Sequence, residues 1–259
     1  MKFKISKNLY IKKNSRPLII AEISANHIGK KKLFLDHIKS AAKNGADLIK
    51  IQTYEPEDIT LKSRNKNFLI KSGTWKGKNL WDLYSKGYTP FSWHKDAFKL
   101  AKKLKIPIFS SPFSKRAVDL LESLKTPIYK IASFEITDLN LIDYVASKGK
   151  PIIISTGMAT LNEINKAIKT IEKHHKKIVI LYCVSGYPTK EKDTNVLNIK
   201  KFQKLFKNYI IGISDHTDNI YSALSSIVLG ASVIEKHFIL NKNINSLDKL
   251  FSIDSKQLK

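Results

Sequence analysis

The chain has almost no cysteine, little arginine and few acids. Its 259 residues hold one Cys, Cys183, and only Arg16, Arg64 and Arg116 among 46 basic residues, so 43 are Lys. A single thiol excludes an intrachain disulfide and fits a reducing compartment. Nucleic-acid readers lean on the bidentate Arg fork, which this chain barely has. The lysines are spread along its whole length, and together with abundant Ile and Asn they reflect a compositional bias. The net charge of +24 is therefore not a nucleic-acid footprint. No apolar run approaches the roughly 20 residues of a membrane span. Residues 1–13 carry basic side chains but no apolar stretch of signal-peptide length. A soluble, cytoplasmic protein is expected.

What the chain does have is 42% hydrophobic residues, arranged in short β-branched runs with helical patterns between them. Eight strand candidates cover 18–24, 48–53, 106–111, 128–132, 152–155, 178–183, 209–214 and 233–237. Each is apolar almost continuously, as parallel strands buried on both faces require. Helix candidates cover 33–44, 92–103, 117–124, 141–147, 161–174 and 221–229, and Gly45, Gly149 and Gly230 supply C-terminal stops. Eight such units predict one α/β domain over 1–259, a (β/α)8 TIM barrel. A doubly wound sheet would want a Gly-rich first turn, which is missing. Two departures stand out. The segment 54–90, with Trp75, Trp81, Tyr84 and Tyr88, is too long for a simple link, and either shapes a pocket or forms a satellite core. At the other end, 252–259 can start an eighth helix but not finish it. The barrel is expected to be cut short within that helix, leaving an apolar seam that something must cover.

In such a barrel the C-terminal strand ends share one cavity. His216 and His237 sit at the ends of the last two strand candidates, where two imidazoles could hold a divalent ion and leave positions open. They could equally be two unrelated, partly buried histidines. Lys50 and Lys130 interrupt apolar strands, and with nearby hydroxyls they could cradle a dianion such as phosphate. A strand-end Lys could instead form a Schiff base. Glu22 lies inside an apolar run, where an unpaired carboxylate is costly. It is the leading acid/base candidate, with a salt bridge to a lysine as the plainer alternative. Cys183 fits a buried small residue better than a nucleophile.

Taken together, several motifs resemble the sialic acid synthase family. They are Ala21-Glu-Ile-Ser-Ala-Asn-His27, Lys50-Ile-Gln52, Ser110-Ser-Pro-Phe113, Tyr129-Lys-Ile-Ala-Ser133, Ser155-Thr-Gly-Met158, Gly212-Ile-Ser-Asp-His-Thr217 and Glu235-Lys-His-Phe238. Within the family, Trp75 to Leu80, Leu83-Tyr84 and Tyr88 to His94 resemble the pseudaminic acid synthase branch. The resemblance implies condensation of phosphoenolpyruvate with an amino-sugar aldose, 2,4-diacetamido-2,4,6-trideoxy-altrose in that branch, to give pseudaminate and phosphate. It implies His216 and His237 as ligands of Mn2+ or Mg2+. Lys50, Gln52, Ser111, Lys130, Ser133, Ser155, Ser185 and Ser214 would surround phosphoenolpyruvate, and Glu22, Glu235 and Asp248 would be the catalytic carboxylates. Three departures from the family pattern matter. Ile28 follows His27 where Asn is common. Lys249 replaces a His after Asp248, and the Gly of that late motif is missing. The family's C-terminal antifreeze-like domain, which crosses a homodimer, is absent, so a fragment or a truncated chain is expected. The alternatives are an N-acetylneuraminate or legionaminate synthase, a heptulosonate-phosphate-type or Schiff-base aldolase, and an inactive barrel or binding protein that needs a partner domain.

Overall fold

A computed structural model describes all 259 residues. The chain opens with an antiparallel hairpin, β1 (Lys2–Lys4) and β2 (Tyr10–Lys12), and then enters the barrel. The barrel strands are β3 (Leu18–Glu22), β4 (Leu48–Thr53), β5 (Ile108–Pro112), β6 (Tyr129–Ile131), β7 (Ile152–Ser155), β8 (Ile178–Cys183), β9 (Ile210–Asp215) and β10 (Val233–His237). All eight are parallel, and β10 closes on β3 to complete the barrel. The helices are α1 (Lys31–Lys43), α2 (Leu80–Gly87), α3 (Phe91–Lys103), α4 (Lys115–Ser123), α5 (Leu139–Ala146), α6 (Leu161–Glu172), α7 (Asn198–Leu205), α8 (Tyr221–Val228) and α9 (Ser255–Leu258). None is long and apolar enough to cross a membrane. The expected (β/α)8 barrel is the observed fold.

Alternation along each strand sorts the side chains. Outward residues such as Ile131, Ile152, Ile154, Ile178 and Ile180 join helix residues in a 24-residue cluster between sheet and helices. Inward residues divide by height. At the N-terminal end Leu18, Ile20, Leu48, Phe109, Ile128, Ile153, Val179, Ile210 and Val233 form an apolar floor, and Phe3, Ile5 and Ile11 of the hairpin region pack onto it. The hairpin is thus a plug that the strand pattern did not predict. Its strands are three residues long with only the middle one buried, too short to show a period. Higher up, the inward positions turn polar: Glu22, Lys50, Ser111, Lys130, Ser155, Ser214 and Glu235 are all buried. Gly212 lets β9 and β10 approach closely, since a Cβ there would lie 2.2 Å from the Val233 carbonyl oxygen.

Two sequence expectations change. The expected apolar seam is covered by the chain's last residues only on its α1 side; on the α8 side Tyr221, Leu224 and Val228 stay exposed. After His237, Phe238 bridges to Ile253, and Leu258 of the four-residue α9 packs on the Phe34, Ile38 and Ala41 face of α1. The 54–90 segment serves both of its proposed purposes. Tyr54 meets Tyr84 and Phe113 in a satellite cluster. A narrow loop closed by the antiparallel Leu69–Asn79 bridge meanwhile carries Trp75 over the barrel mouth.

Candidate active site

The polar inward residues form one connected group. Lys50 Nζ makes an ion pair with Glu22 Oε2, lies 3.5 Å from Glu235 Oε1, and donates to Ser111 Oγ at 3.4 Å. Lys130 Nζ reaches Glu235 Oε1 at 3.3 Å, and Ser214 Oγ donates to the same oxygen at 3.1 Å. Glu235 therefore sits between both lysines. Burial drives its carboxyl upward, but Lys130 and then Lys50 outweigh this and hold it well below the usual range. Burial also lowers the Lys130 ammonium against the pull of Glu235. For Lys50 the order reverses: burial opposes the charge, yet Glu22 and Glu235 raise its pKa. The plainer alternative for Glu22, a salt bridge to a lysine, is realised.

Beside this group lies a ring of hydroxyls. Ser133 Oγ accepts the Gly157 N–H at 3.1 Å and lies 3.6 Å from Cys183 Sγ. Ser155 Oγ and Ser185 Oγ are buried with no hydrogen-bond partner, and so is Glu235 Oε2. Neither Glu22 oxygen has an aligned donor, although Lys50 touches one of them. Buried polar atoms are rarely left unpaired, so this cluster can take up water or a polar ligand. Gln52 is half-buried one step above Lys50 on the same face. Cys183 is buried, as expected, but it also touches His216, at 3.8 Å from Nδ1.

The two histidines do come together, with ring centroids 5.4 Å apart. The Val184 carbonyl lies 3.0 Å from His216 Nδ1, which assigns the proton to that nitrogen and turns the Nε2 lone pair away from it. His237 Nδ1 lies 3.6 Å from Asp248 Oδ2, near but beyond a hydrogen bond. Burial would raise the Asp248 carboxyl, but His237, the Ser24 hydroxyl and the Ala25 N–H keep it low. No three His, Cys, Asp or Glu side chains gather closely enough to hold a metal alone. A divalent ion here would take two imidazoles from the protein and its other ligands from substrate and water. The fixed His216 tautomer and the carboxylate behind His237 fit that role.

Aromatics cover the pair. Tyr187 stacks on His216 at 4.4 Å, Phe251 meets His237 edge-on at 4.8 Å, and Trp75 packs on both aromatics at 5.9 and 6.0 Å. Thr74 Oγ1 donates to the Tyr187 carbonyl, and Trp75 Nε1 to that of Leu247 at 3.3 Å. An adjoining cavity of about 630 Å³ lies between Trp75, Gly29 and Leu250, but none of the predicted site residues lines it. Sequence reasoning missed Glu135, on the 3-10 turn Ser133–Glu135 after β6. Burial pushes its carboxyl up to about 7 against the pull of Lys130 and Lys50, and Oε2 is unpaired. Its only signal was the placement, two residues past Ser133. Tyr187 and Phe251 were likewise unassigned.

Residues 37–259 match the NeuB family profile. The chain is 46% identical to the pseudaminic acid synthase of Helicobacter pylori over 92% of its own length and 70% of that protein's. It is 42% identical to the pseudaminic acid synthase of Campylobacter jejuni over 95% and 72%. Among solved structures, the N-acetylneuraminic acid synthetase of Leptospira borgpetersenii superposes with a TM-score of 0.89 at 29% identity, covering 100% of this chain and 85% of the other.

Proposed function

The chain belongs to the NeuB family, and on that premise we propose that it condenses phosphoenolpyruvate with an open-chain amino sugar, releasing phosphate and a nonulosonic acid. In this reaction C3 of phosphoenolpyruvate bonds to the aldehyde carbon and the aldehyde oxygen becomes a hydroxyl. Water adds at C2, and the C2–O bond to phosphate then breaks to leave the 2-keto acid.

The observation that carries this is the unpaired pair of hydroxyls, Ser155 Oγ and Ser185 Oγ, beside two buried lysines. A dianion would satisfy all four at once. Lys50, Lys130, Gln52, Ser111, Ser133, Ser155, Ser185 and Ser214 are the proposed phosphoenolpyruvate residues. Glu235 holds both ammonium groups charged and aimed. Glu22, ion-paired with Lys50 but with oxygens lacking aligned donors, has capacity left to accept a sugar hydroxyl. Glu135, poised at about 7, is the group best matched to moving a proton near neutral pH. His216 and His237 would hold Mn2+ or Mg2+, with Asp248 orienting His237. A cation bound there would polarise the aldehyde oxygen. Tyr187, Phe251 and Trp75 shield the reacting centre from bulk solvent, so that only the water the reaction consumes need enter.

For the acceptor we propose 2,4-diacetamido-2,4,6-trideoxy-altrose, giving pseudaminate. The support is the 46% and 42% identity to two pseudaminic acid synthases. The test is phosphate release from phosphoenolpyruvate with Mn2+ and each candidate sugar. Release only with this acceptor is expected. Release only with N-acetylmannosamine would overturn the acceptor, and no release with any amino sugar would overturn the reaction.

A further inference from the structure

The strands that carry the two histidines also carry an ion pair on their opposite face. Asp215 and Lys236 are register partners across β9 and β10, each one residue before a histidine. They point away from the barrel interior, and both are almost wholly buried, at 3% and 2% exposure. Lys236 Nζ donates to Asp215 Oδ2 at 3.0 Å, to the Thr217 carbonyl at 2.5 Å and to Thr217 Oγ1 at 3.0 Å. Asp215 in turn accepts the Thr217 N–H at 2.9 Å and its hydroxyl at 3.2 Å. One ammonium, from the strand bearing His237, thus grips both chain neighbours of His216.

We propose that Lys236 is a positioning residue whose three hydrogen bonds fix the separation of the His216 and His237 imidazoles. This inference rests on the histidine pair being the cation site. A buried ion pair is poor value for stability alone, since apolar residues of equal volume often serve as well or better. What it adds is direction: charge-assisted bonds fix atoms to tenths of an ångström, where a packed side chain would let the 215–217 turn slide. The separation matters because the protein offers only these two imidazoles, so no further side chain corrects an error between them. On the β10 side no backbone bond does this: pairing of β9 with β10 stops at Lys236–Asp215, and the His216 carbonyl instead accepts the Thr189 N–H at 2.9 Å.

The test measures Mn2+ binding to the full chain by the electron paramagnetic resonance signal of free Mn2+, beside thermal melting. The variants are Lys236→Met and the double variant Asp215→Asn/Lys236→Met. The double variant removes both charges and so leaves no unpaired buried ion. Both should bind Mn2+ at least tenfold more weakly than the parent, the size of effect usual for groups that orient metal ligands. A purely structural pair would lower the melting temperature and leave Mn2+ affinity unchanged in the folded double variant, and that result overturns the proposal. If neither variant folds, Thr217→Val removes a single hydroxyl and decides, since unchanged affinity again overturns it. A parent chain that binds no Mn2+ refutes the cation site itself, and Lys236 loses its role with it.

Discussion

Replacing Gly157 with Ala is the sharpest probe of the hydroxyl ring. A Cβ at that position falls 2.1 Å from Ser185 Oγ, 2.9 Å from Ser133 Oγ and 3.1 Å from Cys183 Sγ. Non-bonded heavy atoms want about 3.5–4 Å, so Ser185 must rotate away and Ser133 must give. Both are side-chain ends, so the fold survives: overpacking costs about 1–3 kcal/mol against a typical total of about 5–15 kcal/mol. The ligand site does not survive. Two hydroxyls leave the proposed phosphate position, and hydrogen bonds to a charged group are worth about 1.5–3 kcal/mol each. A loss of at least about 3 kcal/mol is roughly a hundredfold rise in KM for phosphoenolpyruvate. Steady-state phosphate release at varied phosphoenolpyruvate, with a melt to confirm folding, measures this. A folded Gly157→Ala protein with KM within about threefold of the parent would refute the placement of the ring. Gly212→Ala is the contrast. Its Cβ meets a ladder carbonyl, Val233 O, at 2.2 Å, and backbone cannot rotate aside, so that variant should fail to fold.

Three further outcomes are expected. Burial holds His27 and His94 at about 4, below their unfolded value, while Glu135 is raised to about 7. Near pH 5.5 the unfolded chain holds nearly two protons on these histidines and the folded chain about one, on Glu135, so stability should fall by about 1 kcal/mol per pH unit on acidification. Urea unfolding around that pH measures the slope, and a flat profile would refute the buried neutral histidines. Ile11→Ala in the plug should cost about 2–5 kcal/mol in urea unfolding and leave KM for phosphoenolpyruvate unchanged, because Ile11 is 0% exposed on the apolar floor. Glu135→Gln should lower kcat by at least tenfold and remove the pH–rate limb near 7, and an unaltered profile would exclude Glu135 from proton transfer.

The barrel was legible because its strands are buried on both faces and therefore read as unbroken apolar runs. Lys50, Lys130 and Glu22 stood out against those runs as residues that need partners. The structure supplies the partners, and they are non-local: Lys130 and Glu235 lie 105 residues apart. Glu135 escaped because it sits outside any strand, in a turn whose sequence looks solvated, and only barrel closure brings the lysines near it. The hairpin escaped because each strand offers one buried residue between exposed ones, Lys2-Phe3-Lys4 and Tyr10-Ile11-Lys12. The first residues of β5 and β6 were placed too early, since the strand pairing proper begins at Ile108 and Tyr129. Ile106 and Ile128 are buried approach residues. The seam was legible from counting helix residues; what the count could not show is that Leu258 covers its α1 side while Leu224 and Val228 of α8 stay exposed.

The plug under the barrel has a kinetic consequence. With Phe3, Ile5 and Ile11 sealing the lower end, the well is closed from below and is reached from the mouth that carries the histidines. In the proposed reaction phosphoenolpyruvate then has to arrive first, because a sugar seated at the histidines would block its route to the lysines. By the same constraint the sugar product departs ahead of, or together with, the phosphate beneath it. Traffic in this site is last in, first out, and product inhibition patterns should carry that signature.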